Sequence, residues 1–558
     1  MKNEIIAILR KEISLSEKEL ESLLEIPPSP ALGDFAFPCF VLSKKLKKNP
    51  NEIAQSLAEK IPKKGFEKVE AKGPYLNFFV DKNTLAEKTL SEILKKKEKY
   101  GSLDTGKGKT VMIEFSQPNT HKAFHIGHVR GTSLGESLSR ILEYSGTKVI
   151  RANYMGDTGM HIAKWIWCYE KYHSNEKLKD DESWIADIYV DSIKKLKEHP
   201  EFQEEANEIN RKLEDKSDKE LKKLWEKTRK LSLDAFERIY KEFDTKFDKY
   251  FFESEVEIEG KKISKELVRK KIAKISEGAT IVDLKKYNLG VWVLLRSDET
   301  ALYSAKDLAL AKRKFEEFKL DKSIYIVGNA QRLHFYQLFK TLELMKFGNQ
   351  DKFRYIPVME VRFPWGKMSS RTGDNILYSN FKGELMKEVK KQLEKKEKLS
   401  EQNLEKRALA ITISALKYSM LKQDVSKNFI FNKDEAMKFE GNTGPYLLYT
   451  YARAKSILRK AKSKKFKLEI PKLDETEKKL ISQLSSFPEI VNKVQESFAP
   501  NLIANYAYVL SQSFNEFYHS HQVIGSENEN FLLALVETSS QVLKNALNLL
   551  GIEVLEKM

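Results

Sequence analysis

The sequence predicts a multidomain α/β chain built on a doubly wound parallel sheet, with an α+β module ahead of the sheet and an all-α domain after it. Three observations predict this. The apolar run 111–115 (VMIEF) is followed by a polar loop, a helical pattern from Ile126 and a second apolar run at 148–150, a strand–loop–helix–strand unit. Strand, polar loop and helix recur between Ala279 and Phe335, and beyond Asn380 the chain is almost purely helical.

Composition narrows the class. A chain of 558 residues supports about three domains, each with its own core. Lysine and arginine (98) exceed aspartate and glutamate (81) by 17, and the pI is near 9.2. Such an excess favours a polyanionic partner, although a lysine-rich surface from an AT-rich genome or a warm habitat raises the same number. Cys39 and Cys168 lie far apart without a CxxC partner. They read as buried thiols in a reducing compartment, with no disulfide, structural zinc or other protein-ligated metal. No apolar run approaches a membrane span, and MKNEIIAILRKEI is an amphipathic helix without a cleavage pattern, so the expectation is a cytoplasmic protein.

Taken in order, residues 1–108 form the first module. Helices flank 29–38 (SPALGDFAFP), and 73–80 (GPYLNFFV) is strand-like. The lysine-rich helix ending at Lys97 and the stretch 101–108 read as a linker. Residues 109–390 form the sheet domain. There His125-Ile126-Gly127-His128 opens a helix whose apolar positions are Ile126, Val129, Leu134, Leu138, Ile141 and Leu142, with Gly131 and Gly135 placed for close packing. Ligands of such sheets bind beyond the C-terminal ends of the strands, and helix N-termini attract phosphates. Gly127 lets a base or sugar approach the backbone, and His125 and His128 can donate to phosphate oxygens, which suits a nucleoside triphosphate. The turn 151–159 (RANYMGDTG) ends the second strand, and about 160–275 is a charged helical insertion whose charge runs read as solvated faces. Strands follow at 279–283, 291–295 and 324–327, with 302–307 (LYSAKD) leading into a helix and 328–335 (GNAQRLHF) after the last strand. Residues 391–558 are helical, and their aromatic stripes read first as core.

HIGH at 125–128 and KMSS at 367–370 resemble the two signatures of class I aminoacyl-tRNA synthetases. LGDFAFPCF, GPYLNFFVD, NYMGDTG and the stretch 441–460 narrow the resemblance to arginyl-tRNA synthetases over nearly the whole chain. It implies a Rossmann-like catalytic domain, an N-terminal domain that contacts the D-loop corner of tRNA and a helical anticodon-binding domain. The implied substrates are L-arginine, ATP with Mg2+, and tRNA-Arg, in a chain expected to be monomeric. Arginine's carboxylate attacks the α-phosphorus of ATP and expels pyrophosphate, and the adenylate then esterifies the terminal ribose of tRNA with release of AMP. The resemblance also implies that arginine activation requires bound tRNA.

Residue by residue, the resemblance places His125, Gly127, His128, Lys367, Met368 and Ser369 on ATP, with the two histidines and Lys367 stabilising the phosphates. Ser370 stands where the second KMSKS lysine would be, and Lys122 is placed to supply the missing charge. Glu114, Tyr303 and Asp307 match the guanidinium pocket, while Asn119 and Gln331 match the positions that hold the α-amino and α-carboxylate ends. A guanidinium is a planar fork of donors, so carboxylates are the residues its recognition needs. The competing role for Asp307 is a helix N-cap. For Glu114 a competing role is weak, because a lone acid ending a buried strand is expensive without a partner. Tyr75, Asn77, Tyr446, Tyr506 and Met558 are the expected tRNA contacts, with sheet core as the competing role of Tyr75 and a turn position as that of Asn77. Gln117 and Ala123 depart from the family, which often carries a small residue and a proline there. The rival readings are another class I synthetase and an inactive tRNA-binding paralogue, which would be expected to have lost His125, His128 or Lys367.

Overall fold

The computed structural model describes the chain except at residues 1, 26, 28, 216, 364–365, 368–376, 396 and 462–467, and the side chains at 3, 30, 215, 350, 366 and 367 are likewise outside the description. The chain divides into two compact units: residues 1–100, 453–487 and 509–543, and residues 101–452, 488–508 and 544–558.

The first unit opens with an antiparallel sheet of β1 (Phe35–Pro38), β2 (Phe66–Lys72) and β3 (Tyr75–Val80) in the order β1-β3-β2, so that the predicted strand lies at the centre. Around it stand α1 (Lys2–Glu12), α2 (Glu17–Leu23), α3 (Phe40–Leu46), α4 (Pro50–Lys60) and α5 (Lys82–Lys96). Local chemistry sets the helix starts. Ser16 and Glu19 form a capping box at α2, Asn49 caps α4 ahead of Pro50, and Asp81 accepts from the Thr84 N–H at α5. Gly33 has φ +96°, and a Cβ there would stand 2.8 Å from the Phe78 carbonyl oxygen, so the LGDF turn requires glycine.

The second unit holds the parallel sheet. Its first half is β4 (Thr110–Glu114), α6 (Ile126–Tyr144) and β5 (Lys148–Met155). Helices α7 (Met160–Tyr172), α8 (Glu182–Glu198), α9 (Gln203–Asp215) and α10 (Lys219–Glu242) follow, packed on the aromatic cluster Trp165, Trp167 and Trp184. The chain then returns to the sheet at β6 (Lys249–Phe252) and leaves through α11 (Glu253–Arg269). The sequence placed 160–275 wholly in a helical insertion; the structure puts β6 within it, paired in parallel with β5.

β7 (Lys274–Ser276), β8 (Ala279–Asp283) and β9 (Val291–Leu295) form a separate antiparallel sheet. β8 and β9 were expected to join the doubly wound sheet; the structure pairs them antiparallel with each other, and β8 with β7, instead. Only seven residues separate β8 from β9, enough for a hairpin and too few for a parallel crossover. After α12 (Tyr303–Phe318) come β10 (Lys322–Gly328), α13 (Arg332–Leu344) and β11 (Phe353–Val358). The parallel order is β11-β10-β4-β5-β6, so the winding reverses between β4 and β10. The crevice beyond their C-terminal ends is where ligands of such sheets bind.

A small sheet joins β12 (Val361–Phe363), β13 (Gly366–Lys367) and, after α14 (Tyr378–Glu394) and α15 (Glu401–Leu421), β14 (Phe429–Ile430). Arg130 of α6, 3% exposed, donates to the carbonyls of Met359 and Lys427 and so ties α6 to the approaches of β12 and β14. The helical remainder is α16 (Lys433–Ala436), α17 (Gly444–Lys460), α18 (Glu475–Ser497), α19 (Asn501–Ser520) and α20 (Glu529–Leu549).

The end of α20 is held on α6. Ser137 donates to the Leu549 carbonyl at 2.8 Å, and Arg140 bonds the Asn548 side chain, the Asp244 backbone and side chain, and Glu136. Buried Lys417 of α15 donates to the carbonyls of Phe243 and Gly551. Gly135 packs as expected, since a Cβ there would lie 2.0 Å from the Phe115 ring; at Gly131 a Cβ would meet nothing within 4 Å. Both cysteines are buried, and burial pushes each thiol up to about 12.

Candidate active site

Residues 116–124 leave β4 as a loop in which Ser116, Gln117 and His121 have positive φ (75°, 53° and 61°). Non-glycine residues hold that conformation only where their surroundings impose it. Here the Asn153 side chain accepts from the Gln117 N–H, Ser116 meets the Tyr240 hydroxyl, and Ser232 accepts from the His121 N–H. The His121 ring is buried between the hydroxyls of Thr120 and Thr228, and burial lowers its pKa to about 3. Gly156, in the turn after β5, has no room for a side chain: a Cβ would stand 2.3 Å from Asn119 Oδ1. The loop therefore presents Asn119 beside that turn.

His125 is the N-cap of α6. Its Nδ1 accepts from the Gly127 N–H at 3.1 Å, while Nδ1 of His128 accepts from the His125 N–H at 3.2 Å. The rings stack with centroids 3.8 Å apart. A Cβ on Gly127 would fall 2.9 Å from the His125 ring, so the imidazole cap depends on glycine. Because both Nδ1 atoms accept, each neutral ring carries its proton on Nε2. Burial lowers His125 to about 4 and His128 well below the ordinary range, with the neighbouring Lys122 charge acting in the same direction. The helix start thus offers neutral Nε2–H donors together with its own N–H groups, an arrangement suited to polyphosphate. Lys122 is half-buried with Nζ 5.3 Å from the Tyr189 ring; burial lowers its pKa while Glu253 raises it.

Four carboxylates, Asp307, Glu253, Glu114 and Asp157, lie near the Tyr154 phenol; burial raises its pKa and their charges raise it further, and its buried hydroxyl has no hydrogen-bond partner among the described residues. Three of them have a cation: Glu114 has Lys314, Asp157 has Arg229 and Glu253 has Lys306. Asp307 is different. Its Oδ2 lies 2.6 Å from Nε2 of His334, whose Nδ1 accepts from the Trp292 indole N–H at 3.2 Å. Indole nitrogen only donates, so His334 is the neutral Nε2–H tautomer and donates to the Asp307 carboxylate without bringing a positive charge to it. Asp307 sits in the second turn of α12 and the N-cap is Leu302, which removes the capping role. Tyr303, one turn earlier and 60% exposed, sets its ring against His334 at 4.8 Å. Gln331 is exposed at the turn between β10 and α13.

Glu114 needs a correction of argument. Its exclusion from a structural role rested on the lack of a partner, yet wholly buried Lys314 pairs with one oxygen and Gln117 donates to the other at 2.8 Å. Lys314 was legible: Asp307, Leu310, Ala311 and Lys314 share one face of α12, and a lysine on that stripe needs an acid. His334, Trp292 and Glu253 were also missed, and no spacing rule pairs β9 with α13.

The second signature is described in part. Lys367 ends β13, its backbone paired with Arg362 of β12, and the His125 backbone bridges Leu377. The Lys367 side chain and Met368, Ser369 and Ser370 lie outside the described residues. Among the expected tRNA contacts, Asn77 is 2% exposed and Tyr506 5%, so neither presents its side chain to solvent. Asn77 stands on the central strand β3 and Tyr506 on the packed face of α19, where burial leaves no face for a base. Tyr75 is half-buried against exposed Phe40, Tyr446 packs half-buried on Tyr508 at 5.8 Å, and Met558 is half-buried.

A parallel sheet whose first loop ends in a histidine-capped helix, with a strand ending in Lys367 further along the chain, is the arrangement of the catalytic domain of a class I aminoacyl-tRNA synthetase. Residues 89–433 match the family "tRNA synthetases class I (R), catalytic domain", residues 447–558 the "DALR anticodon binding domain" and residues 1–80 the "Arginyl tRNA synthetase N terminal domain". The chain is 39% identical to the arginine–tRNA ligase of Clostridium perfringens, over 99% of this chain and 98% of that one, and 37% identical to that of Clostridium botulinum over the full length of both. Its fold matches the arginyl-tRNA synthetase of Thermus thermophilus with a TM-score of 0.82 at 25% identity, covering 96% of each chain. The chain belongs to the arginyl-tRNA synthetases. No helix among the described residues is long and apolar enough to cross a membrane.

Proposed function

We propose that this chain is an arginine–tRNA ligase that activates L-arginine with MgATP and transfers it to the 3′ end of tRNA-Arg. The observation that carries the reading is the pairing of a neutral, histidine-capped helix start with Asp307, which among the described residues is held by His334 and forms no ion pair with a lysine or arginine. In the first step an arginine carboxylate oxygen attacks the α-phosphorus and the bond to pyrophosphate breaks. In the second a terminal ribose hydroxyl attacks the adenylate carbonyl, loses its proton, and AMP leaves. The protein's work is positioning and charge stabilisation.

His125 and His128 donate from Nε2 to the phosphates, with Gly127 beside the nucleoside, and Lys122 and Lys367 neutralise the departing pyrophosphate; Met368 and Ser369 complete the ATP contacts. Asp307 takes the guanidinium with Tyr303 at its rim, while Glu114, each of whose oxygens holds one hydrogen bond, retains a lone pair toward it. Asn119 and Gln331 hold the α-amino and α-carboxylate ends. Tyr75, Tyr446 and Met558 meet tRNA. The functional parts are 1–108, 109–390 and 391–558, acting as a cytoplasmic monomer whose activation step waits for tRNA.

ATP–pyrophosphate exchange with each amino acid, with and without total tRNA, tests this. Exchange with arginine alone among amino acids, and only with tRNA, is expected. Exchange without tRNA removes the coupling, and no exchange alongside intact tRNA binding moves the chain to an inactive RNA-binding role.

A further inference from the structure

We propose that His334 and Trp292 form a neutral latch that orients Asp307 for the arginine guanidinium without neutralising it, so that His334 is a positioning residue for amino-acid recognition. The inference rests on the arginine pocket proposed above. Trp292 of β9 and His334 of α13 are 4% and 6% exposed, and Asp307 of α12 lies 2.6 Å from His334 Nε2. Three elements thus meet in one hydrogen-bond chain: indole N–H to Nδ1, then Nε2–H to the carboxylate.

The direction of that chain carries the argument. A carboxylate on a helix can swing about its terminal torsion, and one hydrogen bond at Oδ2 fixes its plane. A lysine, arginine or imidazolium in the same place would fix it equally well but would satisfy its charge, as Lys314 does for Glu114 and Arg229 for Asp157. The Trp292 N–H occupies Nδ1, the atom that would have to gain a proton for the ring to become cationic. Asp307 is therefore held in place and left anionic. The same ring also supports Tyr303, whose centroid is 4.8 Å away, so one histidine braces both residues that α12 sends toward the guanidinium.

The test compares His334→Phe, His334→Gln and Trp292→Phe in the full-length protein, assayed by arginine-dependent ATP–pyrophosphate exchange in the presence of tRNA. Losing a hydrogen bond to a charged group should raise KM for arginine roughly 10- to 100-fold in His334→Phe. KM for ATP and kcat at saturating arginine should stay near wild type. Glutamine carries an acceptor and a donor on one planar group, so His334→Gln should recover most of the arginine affinity. Trp292→Phe, which frees Nδ1, should also raise KM for arginine. In nitrogen-15 NMR of the wild type, His334 should be protonated at Nε2 alone. An unchanged arginine KM in His334→Phe, equal losses in the phenylalanine and glutamine variants, or a wild-type ring protonated at Nδ1 would each overturn the latch. A wild type that exchanges with another amino acid and not with arginine would instead overturn the pocket on which it rests, and the latch with it.

Discussion

Lys314 and Glu114 form an ion pair closed off from solvent at the end of the central strand: the lysine is 0% exposed and the glutamate 2%. Lys314 Nζ also lies 4.4 Å from the Tyr325 ring, which adds cation–π attraction. Removing one partner strands the other charge. Lys314→Met should destabilise the protein by roughly 3–5 kcal/mol, whereas Lys314→Met combined with Glu114→Gln should recover much of that loss. Urea unfolding of wild type, single and double variants measures it, and a double variant no more stable than the single one refutes the pairing argument.

The imidazole cap separates two roles of His125. Asparagine can also accept from the first-turn N–H groups, so His125→Asn should change stability by less than about 1 kcal/mol. It lacks the imidazole Nε2–H donor, and exchange activity should fall on the order of 100-fold. A parallel loss of melting temperature and activity would mean that the cap alone matters.

Neutrality of the two signature histidines is visible without an assay. In the free protein neither His125 nor His128 should titrate between pH 8 and 5, because burial holds His125 near 4 and His128 well below the ordinary imidazole range. Bound polyphosphate brings negative charge to Nε2 and should move both resonances' midpoints upward. Ordinary titration near pH 6.5 in the free protein would contradict the capped geometry.

Buried His121 and half-buried His161 are both lowered to about 3, chiefly by removal from water. Between pH 6.5 and 3 the unfolded chain binds these protons and the folded chain does not, so stability is full above 6.5 and falls as pH drops through that window. Each group contributes a slope of roughly 1.4 kcal/mol per pH unit. His121→Asn should flatten the dependence of the urea midpoint between pH 6 and 5 by one proton's worth.

Two glycines of α6 should respond oppositely. Gly135→Ala drives a methyl into the Phe115 ring and should destabilise by about 1–3 kcal/mol. Gly131→Ala meets open space within a helix and should stabilise by about 0.5–1 kcal/mol. Thermal melting of the two variants decides it.

Much of this site was legible because its signals are local. The strand, polar loop and helix around His125 occupy one continuous stretch, and Tyr303 and Asp307 fall one turn apart on α12. What sequence reasoning missed depends on pairing across distance. β8 and β9 read as apolar strands like any other, and only the length of the connection between them distinguishes a hairpin from a crossover. β6 is a four-residue edge strand between charged helices, too short to carry a period. Asn77 and Tyr506 were assigned to RNA by motif, but which face of a strand or helix is covered depends on elements that a motif does not contain.

The clamp on α6 bears on how the protein is made. Ser137 waits for a carbonyl 412 positions further along the chain, and Arg140 and Lys417 likewise need Asn548 and Gly551. On a ribosome the signature helix would emerge long before those acceptors exist, so its polar face must stay solvated or be guarded by chaperones until synthesis nears completion. A message cut short ahead of Asn548 would yield a chain with orphaned polar groups in its nucleotide domain, marked for proteolysis rather than left as a half-working enzyme.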